Sequence, residues 1–144
     1  MQILMELSRI LIRELDEYQI IELREVVDDD DRDAGHQARS FPIVIGLPEA
    51  MAIDRRLKGF HIKRPQTHDL LATTIRELGG ELLSITINDL SDHTFFATLD
   101  IRDQSENEIH IDCRPSDAIA IGIAGKVPIY VEEHVLDNIT RHDV

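Results

Sequence analysis

Two stretches of this 144-residue chain combine an arginine, a proline, a hydroxyl side chain and an acid. One is Arg64-Pro65-Gln66-Thr67-His68-Asp69 and the other is Arg114-Pro115-Ser116-Asp117. Both have the composition of a helix start. A helix N-terminus offers free N–H groups to a phosphate, and arginine adds a two-pronged clamp. Arg64 and Arg114 are therefore candidate phosphate ligands, with Lys63 beside Arg64 and the hydroxyls of Thr67 and Ser116 close by. Of the seven histidines, only His68 sits inside such a motif. It is the candidate general acid or base near neutral pH. Asp69, Asp117 and Glu49 are hard oxygen donors of the kind that hold Mg²⁺ or Mn²⁺. Glu49 follows Gly46-Leu47-Pro48, a third helix start. Convergence of the three starts would gather all these groups around one pocket. The same residues also cap helices and suit the helix dipole, and that structural reading stands beside the chemical one.

Other chemistry is absent from the sequence. It has no H-E-x-x-H, no phosphate loop, no G-x-G-x-x-G and no G-x-S-x-G. A single cysteine, Cys113, excludes an internal disulfide and any site built from several thiolates. Charges interrupt every apolar run well short of the roughly 20 residues of a membrane helix. No leader pattern marks the N-terminus, so no membrane association and a cytoplasmic location are expected.

The chain carries 28 acids against 15 Lys and Arg, a net charge of −13. Residues 1–33 hold 11 acids and 4 bases, and residues 100–144 hold 10 and 4. Residues 34–99 hold 7 of each. Within that neutral middle, Arg55, Arg56, Lys58, Lys63 and Arg64 form the only basic cluster. It reads either as a solvated helix end or as a patch facing a polyanion. The overall charge disfavours long nucleic acids and leaves room for one local anion site.

Period-two hydrophobicity marks strands over 3–13 and 18–27, joined as a hairpin with a bulge near Ser8–Arg9. Asp28–Gly35 reads as a mobile acidic loop. Phe41–Ile45 is a short strand, followed by a helix to about Lys58. A second helix starts with Thr67 as its N-cap and stops at Gly79-Gly80. Three strands follow, in which Leu83, Ile85 and Ile87, then Phe95 to Ile101, then Ile109 to Cys113 alternate. His110, Asp112 and Arg114 share the opposite face of the last. An apolar helix from Pro115, a strand at 128–131 and a helix from Glu132 to about Ile139 complete the chain. The expected fold is α+β. A mainly antiparallel sheet, an N-terminal hairpin plus a three-strand meander, packs with about four short helices in a single domain over 1–144, its core about 1–137.

Ile111-Asp112-Cys113-Arg114-Pro115-Ser116-Asp117-Ala118-Ile119-Ala120, with Val127-Pro128-Ile129-Tyr130-Val131-Glu132-Glu133 behind it, resembles the signature of the bifunctional nuclease domain family. Arg64-Pro65-x-Thr67-His68-Asp69-Leu70-Leu71 and Ile45-Gly46-x-x-Glu49-Ala50 resemble two further motifs of that family, in the same order. Val44 stands where that family often has Trp. The resemblance implies an α+β domain that self-associates, commonly as a dimer, and cleaves RNA and DNA.

Two functions are weighed. In the first, a nuclease uses His68 to move the proton, and Arg64 and Arg114 to bind phosphate. Thr67, Ser116 and Lys63 assist, and Glu49, Asp69 and Asp117 hold Mg²⁺ or Mn²⁺. In the second, a non-catalytic oligomeric module binds a small anion, nucleotide or protein partner.

Overall fold

Alternating burial along the N-terminal residues builds the first strands. The computed structural model describes the backbone of residues 1–142 and the side chains of residues 1–140. Residues 143–144 of the expected domain therefore lie outside the described residues. Strands β1 (Gln2–Leu11) and β2 (Gln19–Glu25) pair antiparallel, with a register shift between Leu7 and Arg9. The acidic connection is not wholly irregular, because Asp29–Asp33 forms a one-turn helix, α1. Asp28 caps it, accepting the Asp31 N–H at 2.8 Å on Oδ1, and Asp29, Asp30 and Asp31 sit in its favoured first turn.

Strand β3 (Ser40–Ile45) pairs with β2, and helix α2 (Leu47–Lys58) follows. Gly59 ends α2 at φ 68°, in the left-handed region that glycine tolerates. Helix α3 is Thr67–Glu77. Strands β4 (Glu81–Ser91), β5 (Thr94–Arg102) and β6 (Glu108–Cys113) then pair antiparallel in sequence. Helix α4 is Pro115–Gly122, β7 is Ile129–Glu132 and α5 is Glu133–His142.

All seven strands share one sheet in the order β3-β2-β1-β7-β4-β5-β6. Among the described residues only the β4–β7 pair is parallel. The expected hairpin and meander are thus not separate units: β3 extends the first, and β7 stitches it to the second. Among the described residues five α-helices replace the four expected, α1 being the addition.

One sheet face carries the core. Ile21, Leu23, Phe41, Ile43, Ile85, Ile87, Ala97 and Leu99 point at Ala50 and Ile53 of α2 and at Ala118 to Ile121 of α4. Each such aliphatic burial contributes roughly 1.5–3 kcal/mol. Helix α4 is apolar on every side because it lies beneath α2 and α3. At Gly122 an added Cβ would meet Ile85 Cδ1 at 2.6 Å, so α4 sits as close to β4 as a glycine permits. No helix among the described residues is long and apolar enough to cross a membrane.

The opposite face holds a buried carboxylate. Asp100 on β5, 7% exposed, accepts from Ser84, Thr86 and Thr98 at 2.7, 2.6 and 2.8 Å and pairs with His110 Nδ1 at 2.7 Å. Burial pushes this carboxyl up, but the four partners outweigh it and hold it below the usual range. His110 is thereby tied to a structural acid.

Candidate functional site

Three helix starts build the site, each fixed by local chemistry. Strand β6 delivers Arg114 as the N-cap of α4, with Pro115 and Ser116 opening the helix and Asp117 in its first turn. Gly46 is the N-cap of α2 and Glu49 lies in that first turn. The Glu49 carboxylate folds back against Gly46, into space that a Cβ there would take. Gln66, not Thr67, is the N-cap of α3. The shift by one residue follows from Asp69, whose Oδ2 accepts the Gln66 N–H at 2.9 Å and closes a capping box on that residue.

Four of the expected residues come together. His68 Nε2 lies 3.0 Å from Asp117 Oδ1. Arg114 grips Asp117 in a bidentate pair, Nε to Oδ2 at 2.8 Å and Nη2 to Oδ1 at 3.1 Å. Its Nη1 reaches Glu49 Oε1 at 3.2 Å. The chain His68–Asp117–Arg114–Glu49 therefore links three helix N-termini. Burial pushes Asp117 up, but the Arg114 and His68 hydrogen bonds and charges prevail and hold it below the usual carboxylate range. Ionised Asp117 can only accept. That places the proton of neutral His68 on Nε2 and leaves Nδ1 as a lone-pair acceptor. Nδ1 has no protein partner among the described residues.

Asp69 does not join this group. Its carboxylate accepts Arg55 Nη2 at 2.7 Å and also pairs with Arg56 Nη1. Arg56 in turn donates to the Ala120 and Ile121 carbonyls. These contacts tie α2, α3 and α4 together, so Asp69 with Arg55 and Arg56 is an internal brace. Burial alone would raise the Asp69 carboxyl, and the Gln66 N–H and both arginines hold it low instead. The basic cluster divides accordingly. Arg55 and Arg56 are internal, Lys58 pairs with Asp54 at 3.0 Å, and Lys63 and Arg64 are exposed with no ion pair among the described residues.

The three-carboxylate cation site expected from the sequence is not assembled. Among the described residues no three His, Cys, Asp or Glu side chains are grouped to hold a metal. Glu49 and Asp117 both face Arg114, so a cation would have to displace a guanidinium to reach them. Cys113, next to Arg114 in the chain, is no nucleophile at neutral pH, because burial pushes its thiol up to about 11.

Beside Arg114 opens a cleft of about 410 Å³, bounded by Glu49, Arg114, Ser116, Tyr18, Val44 and His93. Ser116 is buried. Thr67, by contrast, is exposed at the start of α3. Tyr18 and His93 carry no motif. Tyr18 ends the β1–β2 loop, and His93 sits at φ 61° in the tight β4–β5 turn. An aromatic or imidazole at a loop tip is the faint signal that marks them.

The bifunctional nuclease domain model matches residues 32–142, and the chain belongs to that family. Uncharacterized proteins from two strains of Mycobacterium tuberculosis are each 44% identical over 98 residues, 68% of this chain. The match spans 57% of their own length. A rice (Oryza sativa subsp. japonica) protein named Bifunctional nuclease 2 is 33% identical over 92 residues, 62% of this chain and 28% of its own.

Proposed function

We propose that the chain hydrolyses phosphodiester bonds in RNA or DNA, with His68 as the proton carrier. The observation that supports it most is the His68–Asp117–Arg114 contact, whose Arg114 lines an open cleft. Neutral His68 presents Nδ1 to the attacking hydroxyl or water and takes its proton; as the new P–O bond forms, the bond to the leaving oxygen breaks, and that oxygen takes up a proton from solvent or from the His68 imidazolium. Asp117 orients the ring and stabilises the imidazolium that forms. Arg114, with its side chain exposed, stabilises the extra negative charge on the phosphoryl oxygens. Arg64 and Lys63, free of ion pairs among the described residues, supply the positive charge for phosphate approach, and Thr67 and Ser116 orient it. Glu49 holds Arg114 across the cleft mouth. Asp69 acts through the helix brace.

No step is routed through a metal, because the Arg114 guanidinium already stands between Glu49 and Asp117. The test is a nuclease assay on short oligonucleotides with and without EDTA. Wild-type protein is expected to cleave in both conditions, and His68→Ala, Asp117→Ala and Arg114→Ala to lose cleavage. Activity that survives all three substitutions sinks the mechanism. Dependence on added Mg²⁺ or Mn²⁺ would instead put a cation in place of the guanidinium between Glu49 and Asp117.

Arg114 and Arg64 buried in closed ion pairs, with no cleft and no metal between the acids, would favour the binding-module reading. Arg114 is paired but exposed, and Arg64 is exposed and unpaired among the described residues, which favours the hydrolase. Self-association is part of the same proposal. Leu4, Ile20 and Phe96 are exposed on strands of the sheet face away from the helices, where a second copy would bury them. A dimer mass by light scattering in solution supports that arrangement, and a monomer at high concentration removes it.

A further inference from the structure

We propose that the cleft beside Arg114 is a nucleoside subsite: it takes the base and sugar of one nucleotide next to the phosphate held by Arg114. The inference rests on the hydrolase reading for the identity of that phosphate, and on the cleft for the rest.

The cleft lining is both polar and apolar. Arg114, Glu49 and Ser116 supply the polar groups. Tyr18, Val44 and Phe95 supply the apolar surface, with His93 on the β4–β5 turn. Phe95 is fixed there by stacking on Phe41, with ring centroids 5.5 Å apart. Tyr18 is 63% exposed and meets the cleft from the β1–β2 loop. An exposed aromatic of this kind is a stacking platform, and every base has a face to offer it. A second sign of a ligand comes from Ser116. It is 5% exposed, it lines the cleft, and its hydroxyl has no side-chain hydrogen bond to the protein among the described residues. That hydroxyl, reached from the cleft, can hydrogen-bond a sugar hydroxyl or phosphate oxygen placed there. The volume of about 410 Å³ falls at the lower end of ligand-sized pockets, which suits one nucleoside and not a run of stacked bases. The net charge of −13 points the same way, toward short substrates or chain ends.

Val44 stands at the mouth of this cleft, 59% exposed, where it offers no ring. Tyr18, on the neighbouring loop, supplies the aromatic surface from another element.

The chain has no Trp and only two tyrosines, Tyr18 and Tyr130. In a Tyr130→Phe background Tyr18 is therefore the sole strong emitter. The experiment titrates that protein with uridine 3′-monophosphate, ribose 5-phosphate and inorganic phosphate, following tyrosine emission and heat. The nucleotide is expected to quench Tyr18 and to bind at least fivefold tighter than the ribose phosphate. Tyr18→Ala, read by heat, is expected to erase that preference while leaving phosphate affinity unchanged, and Tyr18→Phe to keep it. Arg114→Ala is expected to weaken all three ligands. Equal affinity for the three, or a base preference that survives Tyr18→Ala, overturns the subsite. The same proteins are assayed for cleavage of a dinucleotide. Cleavage without base preference defeats the subsite and spares the hydrolase reading. Base preference without cleavage supports the subsite and defeats the hydrolase reading.

Discussion

Asp69→Asn separates a brace from a catalyst. The carboxylate of Asp69 takes two guanidiniums and its own cap N–H, and the Asp69 and Arg56 side chains are only 18% and 9% exposed. Asparagine keeps one acceptor and removes the charge that faces Arg55 and Arg56. No spare acceptor is at hand, since Arg55 Nε is already buried without a partner. Breaking a fully buried pair costs about 3–5 kcal/mol. Residual exposure of Asp69 and the carbonyls retained by Arg56 reduce this to about 2–4 kcal/mol. With a urea slope of roughly 1.5–2 kcal/mol per molar for a chain of this size, the midpoint falls by about 1–2.7 M. Adding Arg55→Met recovers part of the loss, by removing one unpaired charge. The assay is equilibrium urea unfolding followed by circular dichroism, with cleavage measured well below the unfolding midpoint. Cleavage within about threefold of wild type is expected. An unchanged midpoint together with lost cleavage would refute the brace and return Asp69 to the reacting centre.

Three further outcomes follow from the packing. Asp100→Ala strands Ser84, Thr86 and Thr98 on the sheet and lowers stability by about 2–3 kcal/mol, read as a fall in thermal midpoint; a shift under 1 °C contradicts it. Asp69, Asp100 and Asp117 all titrate below the ordinary carboxylate value when folded, so each contributes stability above roughly pH 4 that is lost as acid carries the pH down through their folded values. The urea midpoint should therefore fall below about pH 4, and fall less steeply in Asp100→Asn. Gly122→Ala drives a Cβ onto Ile85 and costs about 1–3 kcal/mol in the same unfolding assay, whereas Gly125→Ala, with only an ordinary contact to Val127, is tolerated.

The sequence showed the parts of the site that depend on local rules. Pro48, Pro65 and Pro115 mark helix starts, and the structure puts Glu49, His68 and Asp117 on those starts. The strands were legible because burial alternates along them, as at Ile21, Leu23, Ile85 and Ile87. Pairings across the chain were not legible. Asp69 looks like a twin of Asp117, yet the C-terminal turn of α2 brings Arg55 and Arg56 onto it, while Asp117 meets His68 and Arg114. The basic cluster of residues 55–64 reads as one patch in sequence. A helix that ends at Gly59 sends its arginines inward and leaves Lys63 and Arg64 outside. Asp28–Asp33 looks like a solvated run of acid, but Asp28 as a cap turns part of it into α1. Tyr18 and His93 meet the same cleft from two loops, and no local rule links them.

The central claim is that His68 moves the proton and Asp69 does not. The most direct measurement is the single-turnover cleavage rate of a dinucleotide by His68→Gln and Asp69→Asn, each checked for native circular dichroism. Loss of a positioned proton carrier removes about 10²–10⁴ in rate. The account predicts a loss in that range for His68→Gln and less than about threefold for Asp69→Asn. Equal rates in wild type and His68→Gln, or equal losses in the two variants, would contradict it.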